Sequence, residues 1–115
     1  MDDLLSVIDA KKYLPTVVEG KRDRAALKRL GFSFIFELDK PLFAVVEQFE
    51  PGSTVQILTD LDKKGKELYG RLKKDLSSHG VRVDDTLRNA LFETELSHIE
   101  GLYRYIHRLT EKQQR

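Results

Sequence analysis

The chain has 115 residues, of which 40% are hydrophobic and 34% are charged, with a formal net charge of +1. These values fit one globular domain and exclude a polycation. The sequence has no cysteine, which excludes disulfides, thiolate metal sites and a cysteine nucleophile, and no apolar run reaches the roughly 18 residues of a membrane span.

The chain predicts helices and strands in strict alternation. The predicted elements are a helix in 1–14, a strand in 16–20, a helix in 21–30, a strand in 32–38, a helix in 41–49, a strand in 54–60, a helix after Gly65 that ends near Gly80, a strand in 81–84 and helical sequence from Asp85 onward. The strands are rich in β-branched and aromatic residues, and the helix in 41–49 has apolar residues at i, i+3, i+4 and i+7.

This alternation predicts an α/β fold, a compact Rossmann-like domain with a four-stranded, mainly parallel sheet and helices on both faces. Residues 1–14 are expected to pack on the domain as an N-terminal helix. Residues 15–85 are the predicted core, and residues 86–115 are a C-terminal helical extension. The acidic N-terminus is unlike a signal peptide, so a cytoplasmic location is expected.

Acidic residues follow two of the predicted strands. Glu19 ends the first strand, and Asp60 and Asp62 end the third. In parallel sheets ligands bind outside the carboxyl ends of the strands, so these carboxylates meet if the two strands are neighbours. Oxygen ligands of this kind suit Mg²⁺ or Mn²⁺ better than zinc. Alternatively, each aspartate caps the following helix.

Basic residues begin directly after the same acids. Lys21 and Arg22 follow the first strand, and Lys63 and Lys64 follow the third. With two helix N-termini directed at the same edge, this arrangement predicts a phosphate-containing ligand such as nucleic acid. The alternative is that both basic helices are ordinary solvated surfaces. The histidines at 79, 98 and 107 are expected on the surface, and Tyr103 is expected to pack on the body.

Two segments resemble the motifs of the Toprim domain. VVEGKRDRAALKRLG (17–31) is similar to the first motif, a strand that ends in Glu-Gly with an acid, Asp23, three residues later. ILTDLDKKG (57–65) is similar to the second, a strand that ends in Asp-x-Asp with a glycine three residues on. The likeness covers roughly the first 85 residues, and the short length resembles that of the small stand-alone Toprim proteins. The domain occurs in primases, topoisomerases, DNA repair proteins and the ribonucleases that mature 5S ribosomal RNA.

The resemblance implies a role for each motif residue. Glu19 corresponds to the catalytic glutamate, proposed as a general acid or base, and Asp60 and Asp62 correspond to metal ligands. Gly20 and Gly65 correspond to tight turns that admit the substrate backbone. Two positions depart from the usual pattern of the family. Leu61 stands where proline or alanine is frequent, and Lys64 stands where certain topoisomerases have a further acid. The domain that carries the nucleophilic tyrosine of topoisomerases is not in this chain, so strand passage and primer synthesis are not expected of it alone.

Together these features predict a Mg²⁺- or Mn²⁺-dependent nuclease with Glu19, Asp60 and Asp62 as catalytic and metal-binding residues. The expected partner is nucleic acid, RNA in preference to DNA, with no membrane. The main alternative is a non-catalytic module that binds RNA or nucleotide, with protein partners, in a larger complex. A haloacid-dehalogenase phosphatase carries Asp-x-Asp on its first strand, and a receiver domain carries an acid pair there, so both fit less well.

Overall fold

The protein folds around one parallel β-sheet, seen in a computed structural model that describes residues 2–113. The strands are β1 (Thr16–Val18), β2 (Ile35–Glu37), β3 (Thr54–Ile57) and β4 (Arg82–Val83). The helices are α1 (Asp2–Lys11), α2 (Lys21–Arg29), α3 (Leu42–Val46), α4 (Lys63–Ser78), α5 (Thr86–Leu91) and α6 (Leu102–Gln113), with a 3₁₀ turn at Ile99–Gly101. The strand order is β2-β1-β3-β4, and every pairing is parallel. The predicted α/β fold is confirmed.

Helices cover both faces of the sheet because successive strand residues point to opposite sides. Val18 packs in a cluster with apolar side chains of α1, α2, α5 and α6. Its neighbour Val17 packs in a second cluster with α3 and α4. The two central strands, β1 and β3, are buried along nearly their whole length, which explains their β-branched sequence.

The N-terminal and C-terminal helices share one core with the sheet. Leu4 and Ile8 of α1 lie in the same cluster as Leu102 and Ile106 of α6. The end of α1 is held by buried Gln56, whose Nε2 donates to the carbonyl of Lys11 at 2.9 Å. Within residues 2–113, the N-terminal helix, the core and the C-terminal helical region therefore share one hydrophobic core. Among residues 2–113, no helix has the length and apolar character to cross a membrane.

Some observed elements differ in extent from the predicted ones. α4 begins at Lys63, so Gly65 lies in its first turn and not ahead of it. The predicted continuous helix after Asp85 is wrong, because α5 ends at Leu91 and α6 starts at Leu102. The intervening segment makes backbone bonds to the sheet edge instead, with the Leu61 N–H donating to the Ser97 carbonyl at 2.8 Å. Tertiary hydrogen bonds thus replace the helical ones.

Candidate metal centre

The candidate site lies where β1 and β3 run side by side. The chain leaves β1 towards β2 on one side, and β3 is followed by β4 on the other, so this is the point at which the strand order reverses. Val17 pairs with Ile57, which places the residues after both strands at the same edge. Ligands of open α/β sheets bind in the crevice at such a point.

Glu19 and Asp60 connect the two strand ends. The Glu19 Oε2 accepts a hydrogen bond from the Asp60 backbone N–H at 2.8 Å. The Asp60 Oδ1 accepts one from the Ile99 N–H, also at 2.8 Å. Each carboxylate is therefore oriented through one oxygen, and neither forms a salt bridge with a lysine or arginine among residues 2–113. The two strands are neighbours, which is the condition under which acids at their ends can meet.

Asp62 has the capping role that was the alternative interpretation of the Asp-x-Asp pair. It is the N-cap of α4, and its Oδ1 accepts a hydrogen bond from the Gly65 N–H at 2.8 Å. Its Oδ2 points away from this bond and lies 3.6 Å from the Nε2 of His98. Capping thus uses one carboxylate oxygen and leaves the second beside an imidazole.

His98 joins the two aspartates. Asp60, Asp62 and His98 each offer a ligand atom, and these atoms lie within 4.8 Å of one another. His98 lies on the surface as expected, with its side chain 57% exposed, but the sequence did not predict its position beside Asp62. It lies 36 residues after Asp62, a separation that matches no metal-binding motif, so no sequence pattern could have identified it. Glu19 is bonded at the backbone of Asp60 and is not part of this group of three.

Asp23 adds a buried acid behind the site. Its side chain is only 7% exposed, and its Oδ2 accepts a hydrogen bond from the Gly20 N–H at 3.1 Å. The pKa of Asp23 is raised to about 6, mainly because the carboxyl is buried and also because Asp60, Glu19 and Glu100 are negative, while the Gly20 hydrogen bond lowers it. Acids this close repel one another, and a cation bound beside them would relieve the repulsion.

Arg88 supports the end of β3 from beneath and was not foreseen from the sequence. It is 3% exposed, and its guanidinium donates to the carbonyls of Thr59 at 2.8 Å and Asp60 at 3.2 Å. The guanidinium carbon also lies 4.5 Å from the ring centroid of Tyr69. Burial lowers the pKa of Arg88. Arg88 thus fixes the backbone that carries Asp60 and Asp62.

The two motif glycines differ in their surroundings. The Cα of Gly65 packs directly against the backbone carbonyl of Asp60, so any side chain there would collide with it. Gly20 has an extended backbone, with φ −157°, and a Cβ at that position would meet no atom within 4 Å. The structure thus requires glycine at 65 for packing, whereas open space lies beside Gly20 next to the carboxylates.

The predicted phosphate-binding residues surround the site. Lys21 and Arg22 open α2, and Lys63 and Lys64 open α4, so all four lie in the first turn of a helix whose N-terminus faces the sheet edge. All four are exposed. Among residues 2–113 none of them forms a salt bridge with an acidic side chain. Their charges are therefore available to an anionic ligand.

Comparison with known proteins identifies relatives over most of the chain. It is 36% identical over 109 residues to the UPF0292 protein of Methanosarcina acetivorans, covering 90% of this chain and 76% of the relative. It is 28% identical over 118 residues to a UPF0292 protein of Methanocaldococcus jannaschii, covering 93% of this chain and 92% of the relative. No family model matches the chain.

A solved structure has the same fold. A protein from Aquifex aeolicus superposes with a TM-score of 0.78 and 31% sequence identity, covering 88% of this chain and 96% of the other. The likeness covers more of this chain than residues 15–85 alone.

Proposed function

The chain belongs to the UPF0292 family, and we propose that it is a Toprim-type, Mg²⁺- or Mn²⁺-dependent protein that hydrolyses phosphodiester bonds in nucleic acid. One observation carries the proposal. Acids from the ends of two adjacent parallel strands come together at the switch point of the sheet, with Glu19 bonded to the backbone of Asp60. The motif likeness of residues 17–31 and 57–65 supports the same assignment.

The donor atoms at the site fit a divalent cation. Asp60 and Asp62 each use one carboxylate oxygen in a hydrogen bond within the protein, which leaves the other oxygen for a metal. His98 adds an imidazole nitrogen at the same place. Carboxylate oxygens suit Mg²⁺ and Mn²⁺, whereas imidazole favours later transition metals. The mixed set therefore favours Mn²⁺ over Mg²⁺.

In the proposed reaction, side chains of the protein transfer the proton and stabilise the negative charge on the phosphoryl group. A bound metal would polarise a non-bridging phosphate oxygen and lower the pKa of coordinated water. Glu19, held by the Asp60 N–H through one oxygen, would take the proton of the attacking water through the other and return it to the leaving oxygen. Lys21 and Arg22 would stabilise the negative charge that develops on the phosphoryl group.

The proposed substrate is a nucleic-acid strand, RNA in preference to DNA, in the cytoplasm. The uncompensated charges of Lys21, Arg22, Lys63 and Lys64 around the acids support a phosphate backbone as ligand. The open space beside Gly20 would let that backbone approach the carboxylates. Binding should be strongly dependent on salt, because each phosphate contact releases counterions.

A non-catalytic binding module is the second candidate, and the exposure of the site favours it. The side chains of Asp62 and His98 are 41% and 57% exposed. A scissile phosphate bound there would remain open to water, which weakens the electrostatic stabilisation that catalysis needs. Such a module would bind nucleic acid and metal without cleaving the strand.

A cleavage assay separates the two candidates. Purified wild-type protein and Glu19→Gln are incubated with structured RNA and single-stranded DNA in Mg²⁺, Mn²⁺ or EDTA. Glutamine keeps an oxygen that accepts from the Asp60 N–H, so the variant should fold, and Glu47→Gln on the exposed end of α3 is the matched control. Metal-dependent cleavage that Glu19→Gln loses and Glu47→Gln retains supports the nuclease. Equal binding by all three proteins with no product in any metal supports the binding module.

A further inference from the structure

A groove separates α2 from the C-terminal helix, next to the site already described. Its volume is about 410 Å³, and three arginines line it, Arg22 and Arg29 from α2 and Arg104 from α6. The small side chains of Ala25 and Ala26 leave the space between the helices. We call this cavity the arginine groove.

The charge of the arginine groove is not neutralised within the protein. In the described part of the chain, Arg22, Arg29 and Arg104 form no salt bridge, although all three are exposed. Glu100 is the acid that lines the cavity, and it lies at the end near Asp23. Three guanidinium groups beside one carboxylate give a net positive surface that attracts an anion.

Two features orient these charges. Arg22 and Arg29 are seven residues apart, so they lie on the same face of α2 with a separation of about 10 Å along its axis. The Arg29 guanidinium carbon lies 3.9 Å from the ring centroid of Tyr103, a cation–π contact that anchors the side chain against α6. The donors of a stacked guanidinium remain directed outward at its edge. An extended chain of anionic groups matches this spacing better than one small anion does.

The arginine groove begins beside the metal centre. The 3₁₀ turn Ile99–Gly101 touches both, since the Ile99 N–H donates to Asp60 while Glu100 and Gly101 line the groove. Arg22 belongs to both places as well, as the second residue of α2. A strand lying in the groove would therefore arrive at Glu19 and Asp60.

From this arrangement we propose that the arginine groove binds the phosphodiester backbone of a nucleic-acid strand and leads it to the metal centre. The inference rests on the proposed function, because the strand is the substrate assigned to that centre. It assigns Arg29 and Arg104 a role in binding that is separate from the lysines at the start of α4. It also assigns the C-terminal helix α6 a direct part in recognition.

The test measures binding without metal. Fluorescence anisotropy in EDTA gives the affinity for a labelled single-stranded RNA, and for DNA of the same length, across a series of salt concentrations. The test proteins are Arg104→Gln and Arg29→Gln/Arg104→Gln. The matched control is Arg82→Gln/Arg108→Gln, which removes the same charge from exposed arginines outside the groove. The exposed side chain of Arg104 forms no hydrogen bond or salt bridge within residues 2–113, so the single variant should fold, and thermal unfolding checks each protein.

The double groove variant should bind at least about tenfold more weakly, because each arginine loses a charge-assisted bond to phosphate. The slope of log affinity against log salt should fall by about 0.7 for each arginine on a single strand. Arg104→Gln should show about half of this loss, and the control double variant should bind like wild type.

The possible failures are distinguishable. If the wild-type protein binds nucleic acid and both double variants weaken it equally, the groove has no special part and the inference is overturned, while the proposed function stands. If the groove variant loses binding but wild type cleaves nothing in any metal, the groove is supported and catalysis is not. If wild type binds no nucleic acid at low salt, the inference and the proposed substrate both fail. If the protein binds an acidic peptide but no nucleic acid, both the inference and the proposed substrate are overturned, and a protein partner is indicated.

Discussion

A side chain at Gly65 would collide with the Asp60 carbonyl, whereas one at Gly20 would meet open space. We expect Gly65→Ser to lower the free energy of unfolding by about 1–3 kcal/mol, because the backbone at the end of β3 would have to move. Gly20→Ser should change it by less than about 0.5 kcal/mol, since serine is favoured at an N-cap. Urea unfolding of both variants measures the difference, and equal losses would contradict the packing described for Gly65.

The buried carboxyl of Asp23 predicts a pH-dependent stability. Its pKa is about 6 in the folded protein against 3.8 ordinarily, so between these values the folded state binds more protons than the unfolded state. The stabilising contribution of Asp23 is therefore present below about pH 4 and is lost as pH rises through 6. Two pKa units correspond to about 3 kcal/mol.

Asp23→Asn isolates this effect, because asparagine still offers an oxygen to the Gly20 N–H. We expect the variant to be more stable than wild type above pH 6 and nearly equal to it at pH 4. Urea unfolding at several pH values measures the difference between the two proteins, which removes the contributions of the other acids. A difference that does not change with pH would show that Asp23 is not buried as described.

At the scale of elements, α5 and β3 are joined by Arg88, which donates to the carbonyls of Ile57, Thr59 and Asp60. Arg88→Met keeps the apolar length but leaves these carbonyls without their donors. Each unsatisfied buried group costs about 1–3 kcal/mol, so we expect a loss of at least about 2 kcal/mol. Urea unfolding measures it, with Arg82→Met on the exposed side of β4 as the control. Equal stability of the two variants would contradict a supporting role for Arg88.

At the scale of the whole molecule, the candidate metal centre joins segments that are far apart in sequence. We expect Mn²⁺ binding to weaken in Asp60→Asn, Asp62→Asn and His98→Asn, because each removes one of the converging ligand atoms. Asparagine at 62 remains a good N-cap, so the fold should persist. Isothermal titration with Mn²⁺, and with Mg²⁺ and Zn²⁺ for comparison, measures the effect.

His107→Asn is the matched control for this prediction, because His107 is an equally exposed histidine that pairs with Glu111 and not with the site. It should titrate like wild type. If His98→Asn and His107→Asn bind Mn²⁺ equally well, the imidazole is not a ligand. If the aspartate variants also titrate like wild type, the metal assignment itself is wrong.

The sequence alone determined the features that depend on residues close to one another along the chain, namely the helices, the strands and the acids at strand ends. β-branched runs and apolar spacing identified the alternating strands and helices, and alternation led to the parallel sheet that the structure confirms. The positions of Glu19, Asp60 and Asp62 at strand ends were also evident, because an acid directly after a strand is a local pattern. The basic residues at the start of α2 and α4 were evident for the same reason, because they come directly after those acids in the sequence.

Only the tertiary structure decided which distant residues complete the site. Arg88 and His98 reach Asp60 and Asp62 across 28 to 36 positions, and the segment that carries His98 forms bonds to the sheet edge in place of the predicted helix. Sequence patterns indicate the secondary-structure preference of residues that are close along the chain. The contacts of Arg88 and His98 depend instead on how α5 and α6 pack against the sheet. The same packing places Arg104 opposite Arg29, so the arginine groove exists only once both helices lie on one core.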